Sequence, residues 1–311
     1  MDDYPLIGQA LSTTLNNDIE FILNHAMPGK FSELATAGDS SGAIGLVDET
    51  QQYAGSFKYR GAVLGVSKHP QGVVACGSGN FPIAVGLAAS KLGIPAILVI
   101  PEDAPVSKRE LARNSDSEVL FVPRTDFADV AERLAKARGL PLLHPFRDAT
   151  MLIGSCSLGV ELARTIQASG SPDDAIVVAC GGGGLAAGTA LGIRLSGLKN
   201  EIYVAEPKNY PRLQAAITVS HPVEITPQGQ TICDALRATE IGALSFQIIE
   251  KIGVRTLLSS DNAVLEAQAR LRRECDVIAE PSGALALAAL FENELPKRHS
   301  KFWVIVCGGN V

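Results

Sequence analysis

Lys58 stands in Gly55-Ser56-Phe57-Lys58-Tyr59-Arg60-Gly61-Ala62, between two aromatic residues at the entrance of a small-residue run that reads as a helix. Taken alone, a lysine is an ordinary solvated cation. Partial desolvation by Phe57 and Tyr59 would lower its pKa and favour the neutral amine that Schiff-base formation or proton abstraction needs. The segment therefore offers a nucleophile or a base.

Two glycine-rich turns offer anion sites. Ala179-Cys180-Gly181-Gly182-Gly183-Gly184-Leu185 joins a buried-looking strand to a helix. Without Cβ atoms, successive backbone N–H groups can close around a phosphate while the helix N-terminus adds its dipole. A tight turn without a ligand has the same sequence. A dinucleotide site fits less well, because the run is not G-x-G-x-x-G and no acidic residue follows a second strand at the required spacing. Gly77-Ser78-Gly79-Asn80-Phe81-Pro82 precedes another helix. Pro82 suits a first helical turn, and the free N–H groups there can hold a carboxylate. An ordinary strand–helix turn reads identically.

The elements that would position these segments alternate. From about residue 70, strands are predicted at Val73–Cys76, Ala96–Ile100, Glu118–Val122 and Leu142–His144. Helices are predicted near Pro82–Leu92, Lys108–Asn114, Phe127–Ala137 and Met151–Gln167. A second series has strands at Ala175–Ala179, Ile202–Ala205 and Phe302–Val306, with helices near Leu185–Leu195, Leu244–Ile252, Asn262–Cys275 and Ser282–Phe291. Such alternation is the mark of parallel βαβ units, here in two α/β modules, and the glycine turns fall at the carboxyl ends of strands, where open sheets bind ligands.

Composition narrows the function classes. A net charge of −6 with no Lys/Arg-dense stripe argues against nucleic acid, and 46% hydrophobic residues are ample for a buried core. The most apolar stretch, Pro82–Ile100, is broken by Lys91, Gly93 and Pro95, so it reads as helix, turn and strand and not as a membrane span. The N-terminus opens on acidic residues without a secretory pattern, and the six cysteines are dispersed without a C-x-x-C pair. A cytoplasmic protein with reduced thiols and a small-molecule ligand is expected.

Together the segments resemble the fold-type II pyridoxal 5′-phosphate (PLP) enzymes, and within them the serine/threonine dehydratase and serine racemase branch, from Glu49 to Asn310. Ser56-Phe57-Lys58-x-Arg60-Gly61-Ala62 is similar to the cofactor-lysine motif S-F-K-x-R-G-A, with Glu49 and Gln52 in its K-x-E-x-x-Q lead-in and Val47 where lysine is usual. Ser78-Gly79-Asn80 is similar to the S-G-N substrate loop and Gly181–Gly184 to the phosphate loop. Ala205-Glu206-Pro207, Glu280-Pro281-Ser282-Gly283-Ala284 and Cys307-Gly308-Gly309-Asn310 match A-E-P, E-P-x-G-A and the terminal S/C-G-G-N.

The resemblance implies two open, twisted parallel-sheet α/β domains of the tryptophan synthase β-like kind, with the cofactor in the cleft between them. Residues 1–71 with 150–311 would form the large PLP-binding domain and 72–149 the small one. It further implies that Lys58 forms the internal aldimine and removes the Cα proton, that Asn80 bonds the cofactor's phenolic oxygen, and that Gly181, Gly182, Gly183 and Gly184 bind its phosphate. Phe57, Leu185 and Glu280 would complete the cofactor pocket, and Cys307 would face the pyridine nitrogen. A thiol is a weak donor, so the ring nitrogen would stay largely unprotonated, which suits rapid β-elimination. Ser56, Gly77, Ser78, Gly79, Asn80 and Phe81 would bind the substrate.

The implied activity is that of an ammonia-lyase: loss of water from a small β-hydroxy amino acid, assisted by the cofactor phosphate as acid, then hydrolysis to a 2-oxo acid and ammonia. Racemisation is the first alternative, since Ser78 aligns with the serine that faces Cα opposite the lysine in racemases of this branch. Equally it can bind carboxylate or cap the helix at Pro82. A β-replacement synthase resembling cysteine synthase is the second. Phe81, Ile83 and Gly77 depart from the usual His or Ala, Gln and Ser, which implies a more apolar pocket. Arg212 stands where metal-activated members carry an Asp six residues after the A-E-P glutamate, here Glu206, so no metal is expected and an ion pair takes its place. A homodimer is the implied assembly.

Overall fold

The computed structural model describes residues 13–34, 43–171 and 173–311. The chain opens with α1 (Thr13–His25), β1 (Lys30–Leu34), β2 (Ala43–Asp48) and α2 (Lys58–Ser67). It continues through β3 (Val73–Cys76), α3 (Asn80–Leu92), β4 (Ala96–Pro101), α4 (Val106–Arg113), β5 (Glu118–Val122), α5 (Phe127–Arg138) and β6 (Leu142–Leu143). Next come α6 (Ala149–Ser169), β7 (Ala175–Ala179), α7 (Gly184–Leu195), β8 (Ile202–Pro207) and α8 (Arg212–Val219). The last elements are α9 (Ala243–Ile252), β9 (Arg255–Ser259), α10 (Asp261–Cys275), α11 (Pro281–Glu292) and β10 (Lys301–Val306). No helix among the described residues is long and apolar enough to cross a membrane.

These strands form two sheets, one of four strands in the order β5-β4-β3-β6 and one of six in the order β1-β2-β10-β7-β8-β9. All pairs in the smaller sheet are parallel. Every residue of β4, β7 and β8 is buried, as expected of parallel strands covered by helices on both faces, which must read as continuous apolar runs. Helix α11, hydrophobic nearly all round, packs on β7, β8, β9 and β10.

The larger sheet departs from the expected all-parallel form, because β1 runs antiparallel to β2. A mixed sheet with an antiparallel edge is a common solution: β1, Lys-Phe-Ser-Glu-Leu, is too polar to be buried on both faces and serves as a half-exposed margin. The sequence reading also missed α8 and β9. The latter is a short edge strand whose first residue, Arg255, is exposed, and so lacks the apolar run that betrays a central strand. Strand β6 ends at Leu143, one residue early, because the His144 N–H donates to Asp148 Oδ2 at 2.6 Å and the chain turns there.

Two contacts orient α2. A Cβ on Gly61 would lie 2.6 Å from Met151 Cα, so α2 meets α6 backbone to backbone. Arg60, fully buried, pairs with Glu49 and Glu161, both at 2.7 Å. The carboxylates flanking this guanidinium come from the β2 end and from α6, which ties the start of α2 to the larger sheet. Glu49 and Gln52 of the lead-in are thus scaffold: Gln52 accepts from the Met27 and Tyr53 N–H groups at 2.9 and 3.0 Å.

Candidate active site

Lys58 is the first residue of α2, and the segment before it is stitched to the end of β10. Ser56 bridges Gly308, Phe57 N–H donates to Cys307 O at 3.1 Å, and Gly309 N–H donates to Gly55 O at 2.9 Å. Lysine and cysteine are thereby brought together from opposite ends of the chain. Lys58 Nζ donates to Pro145 O at 3.1 Å and lies 4.9 Å from the centre of the Phe57 ring. Burial pushes its pKa down to about 8, with the neighbouring Cys307 and Glu280 pulling the other way. Desolvation is thus the dominant cause, as its aromatic neighbours suggested. Burial pushes the Cys307 thiol up to about 12, so it stays neutral, and its Sγ lies 3.6 Å from Ser282 O, the acceptor of its weak hydrogen bond.

Asn80 caps the cleft from the smaller sheet. It opens α3 and is buried; its Nδ2 donates to Glu280 Oε1 at 2.6 Å and its Oδ1 accepts from Asn310 Nδ2 at 2.9 Å. One Nδ2 hydrogen remains for a ligand. Glu280 is itself the residue before α11, and its second oxygen faces Lys108 Nζ at 3.3 Å. Burial raises the Glu280 pKa, and Lys108 opposes that rise. Lys108 also donates to Asp234 at 3.0 Å. A buried cation on α4 is thus shared by two carboxylates beneath the other sheet.

The glycine turn has the orientation an anion requires. The Gly182 carbonyl accepts from Gly242 N–H at 3.0 Å and that of Gly183 from Ala187 N–H at 2.8 Å. The N–H groups of Gly181 and Gly182 have no hydrogen-bond partner among the described residues. Gly183 has φ +92°, and a Cβ there would lie 2.7 Å from Ser245 and 2.8 Å from Ile241. A Cβ on Gly182 would collide with the Phe146 ring. Closed carbonyls, open N–H groups and no room for a side chain at Gly182 or Gly183 fit a bound phosphate.

Other expected residues gather around this centre unequally. Ser56 is fully buried and its hydroxyl has no hydrogen-bond partner among the described residues. Gly77, Ser78 and Gly79 form the half-exposed turn between β3 and α3. Phe81 and Ile83 pack into the core of the smaller sheet beside Tyr59 and Val85, so their apolar character is spent in that core. Leu185 belongs to the core of the larger sheet. Arg212 Nε lies 3.8 Å from Glu206 Oε1, both fully buried, which gives the expected ion pair.

The sequence reading missed Lys108, Asp234 and the connection His144-Pro145-Phe146. Lys108 lies on a short polar helix that reads as solvated, and nothing local marks its burial. His144 Nδ1 lies 3.4 Å from the Phe146 N–H and 3.2 Å from that of Arg147. Burial, then the Arg147 and Lys58 charges, push its pKa down to about 4, so the ring is neutral.

The chain is similar to several known proteins. Over 271 residues the chain is 33% identical to the L-threo-3-hydroxyaspartate ammonia-lyase of Pseudomonas sp, covering 85% of this chain and 83% of that one. It is likewise 33% identical over 276 residues to the serine racemase of Oryza sativa subsp. indica, covering 85% and 79%. The solved serine racemase of maize matches with a TM-score of 0.88 at 28% identity, covering 97% of this chain and 94% of that one. Residues 33–308 match the model of one family, and the chain belongs to the pyridoxal-phosphate dependent enzymes.

Proposed function

We propose that the protein is an ammonia-lyase that removes water from a small β-hydroxy amino acid of the serine, threonine or 3-hydroxyaspartate type. Its relatives include both ammonia-lyases and serine racemases, so likeness alone does not choose between them. The observation that carries the choice is an asymmetry of proton carriers. Lys58 is desolvated and fixed at the end of α2, whereas the Ser78 hydroxyl has no hydrogen-bond partner among the described residues that would activate it. Elimination needs one base at Cα and racemisation needs two.

Bound pyridoxal phosphate supplies the electron withdrawal that makes the Cα proton of an amino acid removable. Lys58 would hold the cofactor, and its Nζ would take that proton from Cα. The N–H groups of Gly181 and Gly182 grip the phosphate. Asn80, its amide plane fixed by Glu280 and Asn310, would help hold the cofactor with its remaining Nδ2 hydrogen. Cys307, a neutral thiol, would offer the cofactor ring only a weak donor. Ser56, Ser78 and the N–H groups at the start of α3 receive the substrate carboxylate. The Cβ hydroxyl would leave as water, with the proton removed from Cα by Lys58 Nζ balancing its departure, and the released enamine would tautomerise to an imine that water hydrolyses to a 2-oxo acid and ammonia.

In this reading residues 72–149 form a small domain that closes on a large one made of 1–71 and 150–311, with PLP between them. A cytoplasmic homodimer is part of the same proposal. All six cysteines are free, in keeping with a reducing compartment. The test is a panel of L- and D-serine, threonine, threo-3-hydroxyaspartate and phenylserine, with oxo acid, ammonia and chirality read together. Oxo acid and ammonia in equal amounts support the lyase. Inversion without oxo acid refutes it in favour of the racemase.

A further inference from the structure

The back of the glycine turn is held by one side chain. Arg212, fully buried, donates from Nε to Gly181 O at 2.8 Å, from Nη1 to Tyr210 O at 3.0 Å, and from Nη2 to Cys180 O. Its counter-ion Glu206 accepts the Leu213 and Gln214 N–H groups at 2.8 and 3.1 Å, in the first turn of α8. The guanidinium is therefore fixed from two sides before it meets the turn.

A planar trans peptide points its C=O and its N–H in opposite directions. With the Cys180 and Gly181 carbonyls directed at Arg212, the N–H groups of Gly181 and Gly182 must point away from it, and these are the donors without a partner among the described residues. A run of four glycines has no side chains of its own to hold this arrangement and has the most conformational freedom to lose. The planar fork of arginine spans two successive carbonyls, which the point charge of a lysine cannot do as well.

The geometry points to Arg212 as a positioning residue for phosphate binding, one that aims the glycine-turn N–H groups at the cofactor's phosphate from the opposite side of the backbone. This rests on the reading of the turn as the phosphate site. A side chain that merely stabilises the fold would affect every ligand of the cleft alike, whereas one that aims the turn affects only a ligand carrying phosphate.

The test is equilibrium binding of PLP and of pyridoxal, which lacks the phosphate, to full-length apoprotein in its original form and as Arg212→Lys and Arg212→Met. Circular dichroism and thermal unfolding identify the variants that fold. Arg212→Lys retains a cation opposite Glu206 and keeps the test available if Arg212→Met does not fold. Arg212→Met should weaken PLP by roughly tenfold, the scale of a lost charged hydrogen bond, and pyridoxal by less than about twofold, with Arg212→Lys between. Equal weakening of both ligands in a folded variant, or of neither, overturns the role of Arg212. Unmodified apoprotein that binds pyridoxal as tightly as PLP overturns the phosphate reading of the turn itself, a result visible without any variant.

Discussion

Asn80 and Glu280 share a hydrogen bond of 2.6 Å although they stand 200 residues apart, and the bond joins the start of α3 on one sheet to the start of α11 on the other. Burial raises the pKa of this carboxylate, and Lys108 beside it opposes that rise. The two sheets are thus connected through a charged relay at the mouth of the proposed site.

Replacing Lys108 by methionine should weaken this connection. Glu280 would lose the cation that opposes the rise in its pKa, which weakens it as the acceptor of the Asn80 Nδ2 hydrogen bond. Removing one partner of a buried pair costs about 3–5 kcal/mol, and retention of the Asn80 bond sets the expectation near the lower end. Denaturant unfolding measures the loss, while kinetics should show a raised KM, partly restored by Lys108→Arg. An unchanged midpoint would refute the relay.

Lys58→Ala should abolish covalent retention of the cofactor. Borohydride reduction followed by peptide mapping of the unaltered enzyme should place the pyridoxyl group on Lys58; finding it on another lysine would refute the assignment.

The lowered pKa of Lys58, about 8 against 10.5, has a definite sign in stability. Between these values the unfolded chain holds a proton that the folded apoprotein has released, so stability rises with pH through that window. Below pH 8 the folded state bears the cost of a partly buried ammonium. Lys58→Met should therefore stabilise the apoprotein at pH 7 by about 1–3 kcal/mol, and the gain should shrink as pH climbs towards 10.5. Cofactor capture should accelerate with pH about a midpoint near 8. Thermal unfolding and stopped-flow absorbance across the range are the measurements.

Ser78→Ala separates lyase from racemase. If Lys58 alone carries the proton, elimination from the L-enantiomer survives, with any loss confined mainly to KM. A second obligatory acid or base would instead cost ~10²–10⁴-fold. Deuterium entry at Cα in D₂O, followed alongside oxo acid, decides the matter: fast exchange with inversion and little oxo acid would assign the racemase.

Activity should be indifferent to chelators, because the buried guanidinium of Arg212 stands opposite Glu206 at 3.8 Å and supplies a permanent positive charge there. Loss of activity in EDTA that Mg²⁺ or Ca²⁺ restores would contradict this expectation.

Whatever is local could be read from the residues alone: the apolar runs of β4, β7 and β8, the turn chemistry of Gly181–Gly184, and the order of motifs that carries the family resemblance. Even the lowered pKa of Lys58 was readable in direction, since part of its desolvation comes from its own neighbours. Which distant groups meet was settled by packing. The insertion of β10 between β2 and β7 brings Cys307 and Asn310 to Lys58 and Asn80. Lys108 is separated by 126 residues from its partner Asp234, and the ion pair expected of Arg212 with Glu206 gave no sign that the same guanidinium lies behind the glycine turn. Phe81 and Ile83 show the converse, since residues that looked like pocket walls became core. Periodicity and propensity act over one helical turn or one strand, whereas burial and the pairing of charges depend on which remote segments the packed sheets bring to the same side of the cleft.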